Sequence, residues 1–433
     1  MKVTLIYPSF KKIIKKNQIN MYPLSVAVLA ALTPDRIDVA FYDDRFEEIP
    51  YGEETDLVAL SAETYNVLRA YEIADRYRSG NIPVVIGGIH ASLLPDEVSA
   101  HADSIVIGDA EQIWGHVLED AENNRLQRVY RSSLESEKTL LHVPPKRNIF
   151  KGRRYFPSDI VETGRGCVHA CDFCVVACIY RGRYRTKTIE DIANDVSSIR
   201  QKNLYFADDN FVASPQRTID LCKAIAPLKK RWVVEGGITL VNHDELMKWM
   251  SKAGCVCILI GFESLNNETL KNMGKSWTNV RRSYRESIKR LRDHGICIYG
   301  SFVFGYDSDV KDDIERTLEF AIEEKLALAG FLQLVPFPGT PLYERLKKQN
   351  RLLYDRWWLD PSYEMEKPLF IPSHMEPDEL ADTCVRCRKQ FYSYSSVFRR
   401  MIDLKANLRN ADKAFFYFMA NLSPLKNTIV QDN

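Results

Sequence analysis

Asp159-Ile160-Val161-Glu162-Thr163-Gly164-Arg165-Gly166-Cys167-Val168-His169-Ala170-Cys171-Asp172-Phe173-Cys174 is the stretch that decides the fold. A short buried strand is predicted over Ser158–Glu162, and the two glycines after it let a loop fold tightly before three cysteines. Three thiolates on one loop can hold three irons of a 4Fe-4S cube and leave the fourth iron open, because thiolate is the usual protein ligand of such clusters. The competing reading is zinc, which wants four closed ligands in paired Cys-x2-Cys or Cys/His spacing. No second pair follows at that distance, although Cys178 or His169 could supply a fourth ligand. Ligand number and spacing favour the cluster, with Cys167, Cys171 and Cys174 as its metal ligands.

Outward from this loop the chain alternates strands and helices. Strands are predicted at Ser158–Glu162, Asn203–Ala207, Arg231–Glu235, Val256–Gly261, Ile296–Phe304 and Ala329–Pro336. Helical spacing fills Thr188–Arg200, Thr218–Ala226, Asp244–Ala253, Val280–His294 and Val310–Glu323. Six such units predict a partial (β/α)6, TIM-like barrel over residues 156–345, with its chemistry at the strand ends.

Upstream, Lys2–Tyr7, Ile37–Tyr42, Leu57–Ser61, Pro83–Gly87 and Ser104–Ile107 read as strands, with Leu24–Leu32 and Val67–Tyr77 as helices. That alternation predicts an α/β, doubly wound, Rossmann-like domain over residues 1–125. Residues 126–155 are polar and basic and carry Pro144-Pro145, as a linker would. Residues 346–433 read as a helical, aromatic-rich C-terminal domain.

The 433 residues suffice for two or three domains. Lys and Arg (59) nearly balance Asp and Glu (58), so no field points to nucleic acid, and a small or neutral substrate is expected. The N-terminus carries no secretory pattern, and no stretch approaches a membrane span of roughly 18 apolar residues. A cytoplasmic protein is expected, its ten cysteines being thiols or metal ligands rather than disulfides. Cys384 and Cys387 sit in a helical run without two further nearby ligands, which argues against a second cluster.

Cys-x3-Cys-x2-Cys, with an aromatic residue before the last cysteine and at the end of the first strand of a βα series, resembles the radical S-adenosylmethionine (SAM) superfamily. The blocks Phe206–Phe211, Ile260–Ser264, Gly300–Asp307 and Pro336–Tyr343 resemble its cobalamin-associated branch. The resemblance implies that SAM chelates the open iron and is cleaved by one electron to a 5′-deoxyadenosyl radical. On those terms Asp208, Asp209 and Asn210 offer acceptors to the SAM ammonium group. Glu235, and Gly261, Glu263 and Ser264 after the fourth strand, serve the ribose or the ammonium group. Gly300, Phe302 and Phe173 would contact adenine. Each acidic residue alone could be an N-cap or a solvated loop residue, but their recurrence at successive strand ends argues for a shared task.

Before the core, Tyr22–Ser25, Asp56–Ser61, Arg69–Ala74, Ile86–Ala91, Leu94–Glu97 and Ile107–Glu111 resemble a cobalamin-binding domain. The resemblance implies contacts to cobalamin from Ser61, Gly87, Gly88, His90, Gly108 and Glu111, the glycines allowing backbone to approach a flat ligand. The Asp-x-His-x-x-Gly segment that supplies a histidine to cobalt in other such domains is missing, since Tyr7-Pro8-Ser9-Phe10 leads into a lysine-rich stretch. His90 is a possible substitute, yet a lone histidine after a Gly-Gly turn is more often a loop hydrogen-bonder.

The C-terminal segment resembles the extension of radical SAM enzymes of the hopanoid-methylating type. Its aromatics Phe391, Tyr392, Tyr394, Phe398 and Phe415–Phe418 either cover the open side of the barrel or wall a large apolar substrate. The leading expectation is a cobalamin-dependent methyltransferase acting at an unactivated carbon of a small or lipid-like substrate, reduced by flavodoxin or ferredoxin. A radical cyclase, rearrangement or carbon–carbon coupling enzyme without methyl transfer is the second reading. A cluster-bearing binding or electron-transfer protein is the third. The sequence singles out no catalytic side chain.

Overall fold

The predicted apolar runs become the strands of two six-stranded parallel sheets in the computed structural model, which describes residues 1–10, 20–132, 139–278 and 283–422. The lysine-rich stretch after Phe10 and the start of the predicted Val280–His294 helix lie outside the described residues. Two compact units form, and each has its own sheet.

The first unit is Met1–Phe156 with Phe337–Gly339 and Arg356–Tyr363. Its strands are β1 (Lys2–Tyr7), β2 (Asp38–Asp43), β3 (Leu57–Ser61), β4 (Val84–Gly87), β5 (Ser104–Ile107) and β6 (Val129–Arg131). Its helices are α1 (Leu24–Leu32), α2 (Val67–Ser79), α3 (Ile89–Leu93), α4 (Pro95–His101) and α5 (Trp114–Glu122). Val3, Leu5, Ile6, Val58 and Leu60 are all buried, as strands covered by helices on both faces require. The spatial order β2-β1-β3-β4-β5-β6 puts the topological switch between β1 and β3, the place where doubly wound sheets take ligands. The stretch expected as a linker belongs to this unit. It adds β6 to the sheet edge beside β5 and stacks Phe150 on Tyr22, ring centroids 4.7 Å apart.

The second unit holds β7 (Asp159–Val161), β8 (Gly164–Gly166), β9 (Tyr184–Thr186), β10 (Asn203–Phe206), β11 (Arg231–Glu235), β12 (Cys255–Glu263), β13 (Cys297–Phe304) and β14 (Leu328–Gln333). The parallel order β14-β13-β12-β11-β10-β7 is the predicted open, partial (β/α)6 barrel, and β8 and β9 form a small antiparallel hairpin beside it. Its helices are α6 (Val175–Tyr180), α7 (Ile189–Ser198), α8 (Pro215–Ile225), α9 (Asp244–Lys252), α10 (Asn267–Asn272), α11 (Tyr284–Asp293), α12 (Lys311–Glu323), α13 (Pro341–Lys348), α14 (Pro377–Phe391), α15 (Tyr394–Met401) and α16 (Ala411–Leu422). Local signals set their starts. Thr188 and Thr340 cap α7 and α13, and Ser283 with Glu286 makes a capping box on α11.

Side chains alternate along the barrel strands. Phe206, Trp232, Phe262, Phe302, Phe304 and Phe331 are fully buried and pack toward the helices, Phe302 meeting Phe320 of α12 at 6.5 Å between centroids. Their half-buried neighbours Tyr205, Val233, Glu235, Leu259, Gly261, Ser301 and Val303 are left for the concave side. The C-terminal helices lock onto this barrel. Phe391 packs on Phe331, the Tyr392 hydroxyl donates to the Ala329 carbonyl, and buried Arg400 donates to the carbonyls of Leu326, Ala327 and Phe391. Among the described residues no helix is long and apolar enough to cross a membrane.

Candidate active site

The cysteine loop leaves β7 and is held from several sides. Thr163 donates its backbone N–H to Asp208 at 2.7 Å and its hydroxyl to the other oxygen of the same carboxylate. The Gly166 N–H reaches Asp209 at 2.7 Å. Gly166 itself sits at φ +89°, where a Cβ would overlap the Arg183 carbonyl oxygen, so no other residue fits. At the far end Asp172 accepts from the Tyr306 hydroxyl and from Arg345 (2.7 Å), and its own N–H bonds the Met273 carbonyl. Glu162 pairs with Arg165 and Lys187. Burial works to raise its carboxyl, but the two cations prevail and hold it at about 2.

Each sulfur of the loop has a donor or cation beside it, although burial prevails at Cys171 and Cys174 and raises both thiols. Asn210 points its amide Nδ2 at Cys167 Sγ, 3.6 Å away. Cys174 precedes α6 and receives backbone N–H groups from Val176 and Ala177. Burial pushes the Cys171 thiol up to about 12, with the Lys275 ammonium acting against it. Among the described residues no three Cys, His, Asp or Glu side chains close on a single metal ion. His169 is engaged elsewhere, its ring stacked on Trp277 at 3.4 Å. Cys178 lies half-buried in α6, where burial raises its thiol.

Beyond the loop, carboxylates gather at the strand ends as expected, but their partners differ from the expected ones. Asp208 is committed to Thr163. Burial pushes it up to about 7 against those hydrogen bonds, and it anchors the loop rather than facing a ligand. Asn210 spends its oxygen on the Gly237 N–H (3.4 Å) and its nitrogen on Cys167, so it is a neighbour of the thiol, not an ammonium acceptor. Ser264 closes a turn by accepting the Asn266 N–H. Glu263, at φ +61° beside the register shift between Gly261 and Glu263, binds Lys275, which also donates to the Gly261 carbonyl at 2.9 Å. A Cβ on Gly261 would fall onto that ion pair, which explains the glycine. Among the described residues Glu235 has one hydrogen-bond partner, the Tyr205 hydroxyl at 3.3 Å. Burial pushes it up to about 7, Tyr205 opposes this, and the charges of Asp209 and Glu263 add to it.

Two expected adenine contacts are overturned. Phe302 is stacked between Phe262 and Phe331 on the helix side of the sheet, and a Cβ on Gly300 would lie 2.7 Å from Leu326 on that same side. The residues of β13 left for the concave face are Ser301 and Val303. Phe173 stays beside the loop, edge-on to Tyr306 at 6.5 Å. Sequence reasoning missed Lys275, Tyr205 and Trp277. Only strand parity could have found Tyr205, and nothing local marks the other two.

In the first unit the candidate residues do gather at the strand ends, but for reasons of their own. Ser61 meets Ser25, oxygen to oxygen, at 3.2 Å. Gly88, at φ +106°, lies against the backbone of Ala62 so closely that a Cβ would overlap it, and a Cβ on Gly87 would be 3.3 Å from Val106. These glycines are needed by the fold itself. His90 is fully buried with both ring nitrogens occupied, Nδ1 at 3.1 Å from Thr64 and Nε2 at 3.1 Å from Glu97. Glu97 also accepts from Tyr71 and Trp358. His90 is therefore a structural hydrogen-bonder and is not offered to a metal. Gly108 takes the Ser92 hydroxyl oxygen on its N–H, and Glu111 lies half-buried in the short turn Ala110–Gln112. Tyr65, just after β3, packs with Phe10, Phe337 and Trp357 into an aromatic wall at the switch point.

A three-cysteine loop at the strand ends of a parallel partial barrel is the arrangement of an iron–sulfur enzyme, and comparison with known proteins agrees. Residues 161–321 match the radical SAM superfamily, residues 11–118 a B12 binding domain and residues 340–427 a domain of unknown function (DUF4070). The chain is 28% identical to bacteriochlorophyllide d C-12(1)-methyltransferase of Chlorobaculum tepidum, over 88% of this chain and 84% of that protein. It is 24% identical to hopanoid C-2 methylase of Rhodopseudomonas palustris, over 77% of this chain and 66% of the relative. The fold matches that of TsrM, a radical S-adenosylmethionine methyltransferase from Kitasatospora setae, with a TM-score of 0.66 at 17% identity, over 90% of this chain and 81% of that one. By these matches the chain resembles radical SAM enzymes that carry a B12 binding domain ahead of the radical SAM core.

Proposed function

We propose that this protein is a cobalamin-dependent radical SAM methyltransferase that methylates an unactivated carbon of a small or lipid-like substrate. The observation that carries the reading is the donor set at the cysteine loop. Cys167, Cys171 and Cys174 are met by the Asn210 amide, the Lys275 ammonium and the N–H groups of Val176 and Ala177 respectively. Burial still prevails at Cys171 and Cys174 and holds both thiols up, so these donors are groups that would stabilise the sulfurs once iron displaces the protons. When bound, the cluster supplies the electron that breaks a carbon–sulfur bond of SAM, and cobalamin supplies the methyl carrier.

The chain's own groups fit SAM at that corner. Glu235 lies near the like charges of Asp209 and Glu263, so a cationic ammonium is a ligand it would favour. Lys275, already paired with Glu263, offers a cation to a carboxylate. Tyr205 fixes Glu235, and Phe173 offers a ring to adenine. In the first unit the aromatic wall around Tyr65 gives a corrin ring an apolar face, and cobalt receives no ligand from His90. The domain organisation proposed is a cobalamin domain, a SAM core and a helical extension. The electron comes from a flavodoxin- or ferredoxin-type protein in the cytoplasm, and the nearly neutral chain has no nucleic-acid partner.

The test is anaerobic reconstitution with iron, sulfide and cobalamin, followed by reduction with SAM bearing a deuterated methyl group. The reading expects a corrinoid spectrum, 5′-deoxyadenosine and S-adenosylhomocysteine, and transfer of the label to a relative's substrate or an analogue of it. Formation of 5′-deoxyadenosine by a protein that takes up no corrinoid would sink the methyl-transfer reading and leave the cyclase or coupling chemistry. Failure to cleave SAM at all would leave a binding or electron-transfer role.

A further inference from the structure

Aromatic side chains of the C-terminal helices divide into two populations. Phe391, Tyr392 and Tyr417 are buried against the barrel. Tyr394 (75% exposed), Phe398 (52%) and Ile402 (66%) form a row at four-residue spacing along and just beyond α15, on a different side from its buried Val397 and Arg400. On α16, Lys413, Tyr417, Ala420 and Asn421 are buried, and the opposite face is Phe415 (61%), Phe418, Met419 and Leu422, with no polar side chain among them. Leu404 (77%) stands on the connection between the helices. The two helices are packed to one another by the Tyr417 hydroxyl on the Val397 carbonyl and by Arg400 on Asn421. The apolar face of a helix is ordinarily the enclosed one, whereas among the described residues α16 buries the face with Lys413 and Asn421 and leaves the apolar one exposed.

The charges of the same stretch point one way. Its exposed ionic residues are Arg399, Lys405 and Arg409, of which Lys405 is paired with Asp293 of α11. Its acids turn back onto the barrel, Asp403 to Arg292 and Asp412 to Arg231. We propose that this face docks on an anionic lipid bilayer, with Tyr394, Phe398, Ile402, Leu404 and Phe415 entering the headgroup–acyl boundary and Arg399 and Arg409 meeting the lipid phosphates. Apolar insertion and attraction to anionic headgroups are the two forces that hold interfacial helices. A second copy of this chain fits less well. A two-fold interface is self-complementary, so it would bring a second set of the same basic residues to the face, where the carboxylate of Asp293 is already paired with Lys405. A bilayer carries the missing negative charge and accommodates side chains that stand this far out of the surface. The inference does not rest on the radical chemistry.

The test is co-sedimentation of the full-length, cluster-loaded protein with vesicles of phosphatidylcholine alone and with about a third phosphatidylglycerol. Binding to the anionic vesicles about tenfold stronger than to the neutral ones, weakening as salt is raised, is expected. The Phe398→Ser/Phe415→Ser/Leu404→Ser variant should lose about tenfold of that binding, and Arg399→Gln/Arg409→Gln should lose most of the preference for anionic lipid. Both variants should keep the parent's melting temperature and its rate of 5′-deoxyadenosine formation in solution. Three results overturn the proposal: equal, negligible sedimentation with both vesicles; a concentration-dependent dimer that the serine variant abolishes without any vesicle binding by the parent; or vesicle binding that arises only when residues 423–433 are deleted.

Discussion

At Glu235 a cost in the empty protein and a use in the loaded one meet in one carboxyl. Burial, opposed by Tyr205 and aided by Asp209 and Glu263, lifts it from 4.5 to about 7. A carboxyl raised in the folded state favours folding at low pH and loses that benefit as pH climbs from about 4.5 through 7. Glu235→Gln should therefore melt with the parent at pH 4.5 and roughly 2 °C or more above it at pH 8, measured on metal-free protein. The same change should weaken SAM binding at pH 8 by about tenfold or more, because a charge-assisted contact is lost. Titration calorimetry would show it, and parent binding should strengthen between pH 6 and 8 as the carboxyl ionises. Asn210 tests the other side of the site. Its N–H on Cys167 sulfur favours the more negative, reduced state of a bound cluster. Asn210→Leu should lower the midpoint potential by roughly 40 mV, the one-electron equivalent of about 1 kcal/mol. A redox titration followed by electron paramagnetic resonance reads this, and an unchanged midpoint would reduce Asn210 to packing.

Among the elements, the β8–β9 hairpin shows why the cysteine loop tolerates little change. Gly166 and Gly182 both have positive φ, +89° and +77°, but only Gly166 has no room for a Cβ, since the nearest atom to one on Gly182 is 3.9 Å away. Gly182→Ala should cost about 1 kcal/mol of backbone strain. Gly166→Ala should cost more and displace the hairpin, so iron uptake should fall below half while far-UV circular dichroism is retained. Equal iron uptake in the two variants would contradict the clash. The same elements show how far the sequence could be read. Lys2–Tyr7, Leu57–Ser61, Ser104–Ile107 and Arg231–Glu235 have the predicted bounds because each is an apolar run closed by turn-forming or charged residues. Strand β6 escaped because only Tyr130 of its three residues is buried and its flanks are polar. Alternation announces two faces of β13 without saying which faces the helices, and so Phe302 was placed on the wrong side. Lys275 reaches Glu263 through a chain reversal that leaves no periodic mark.

Across the whole molecule, the ten cysteines divide by surroundings. Cys222, Cys255, Cys257 and Cys297 are buried around the barrel strands, where burial raises every thiol and none meets a set of converging ligands. Cys384 and Cys387 are buried in α14, three residues apart on the flank that covers β14, and burial pushes Cys387 up to about 11. Thiols in such places behave as small apolar side chains. On the proposed reading one cluster per chain is held by the loop, so about four irons per chain are expected after reconstitution. Cys384→Ala/Cys387→Ala should leave that number unchanged while lowering the melting temperature through lost packing. Cys171→Ala should instead abolish stable iron binding with little loss of fold, because its loop is held independently by Thr163, Gly166 and Asp172. About eight irons in the parent, or a halving in the α14 double variant, would place a second cluster in the helical extension and require it to take part in electron delivery rather than only to cover the barrel edge.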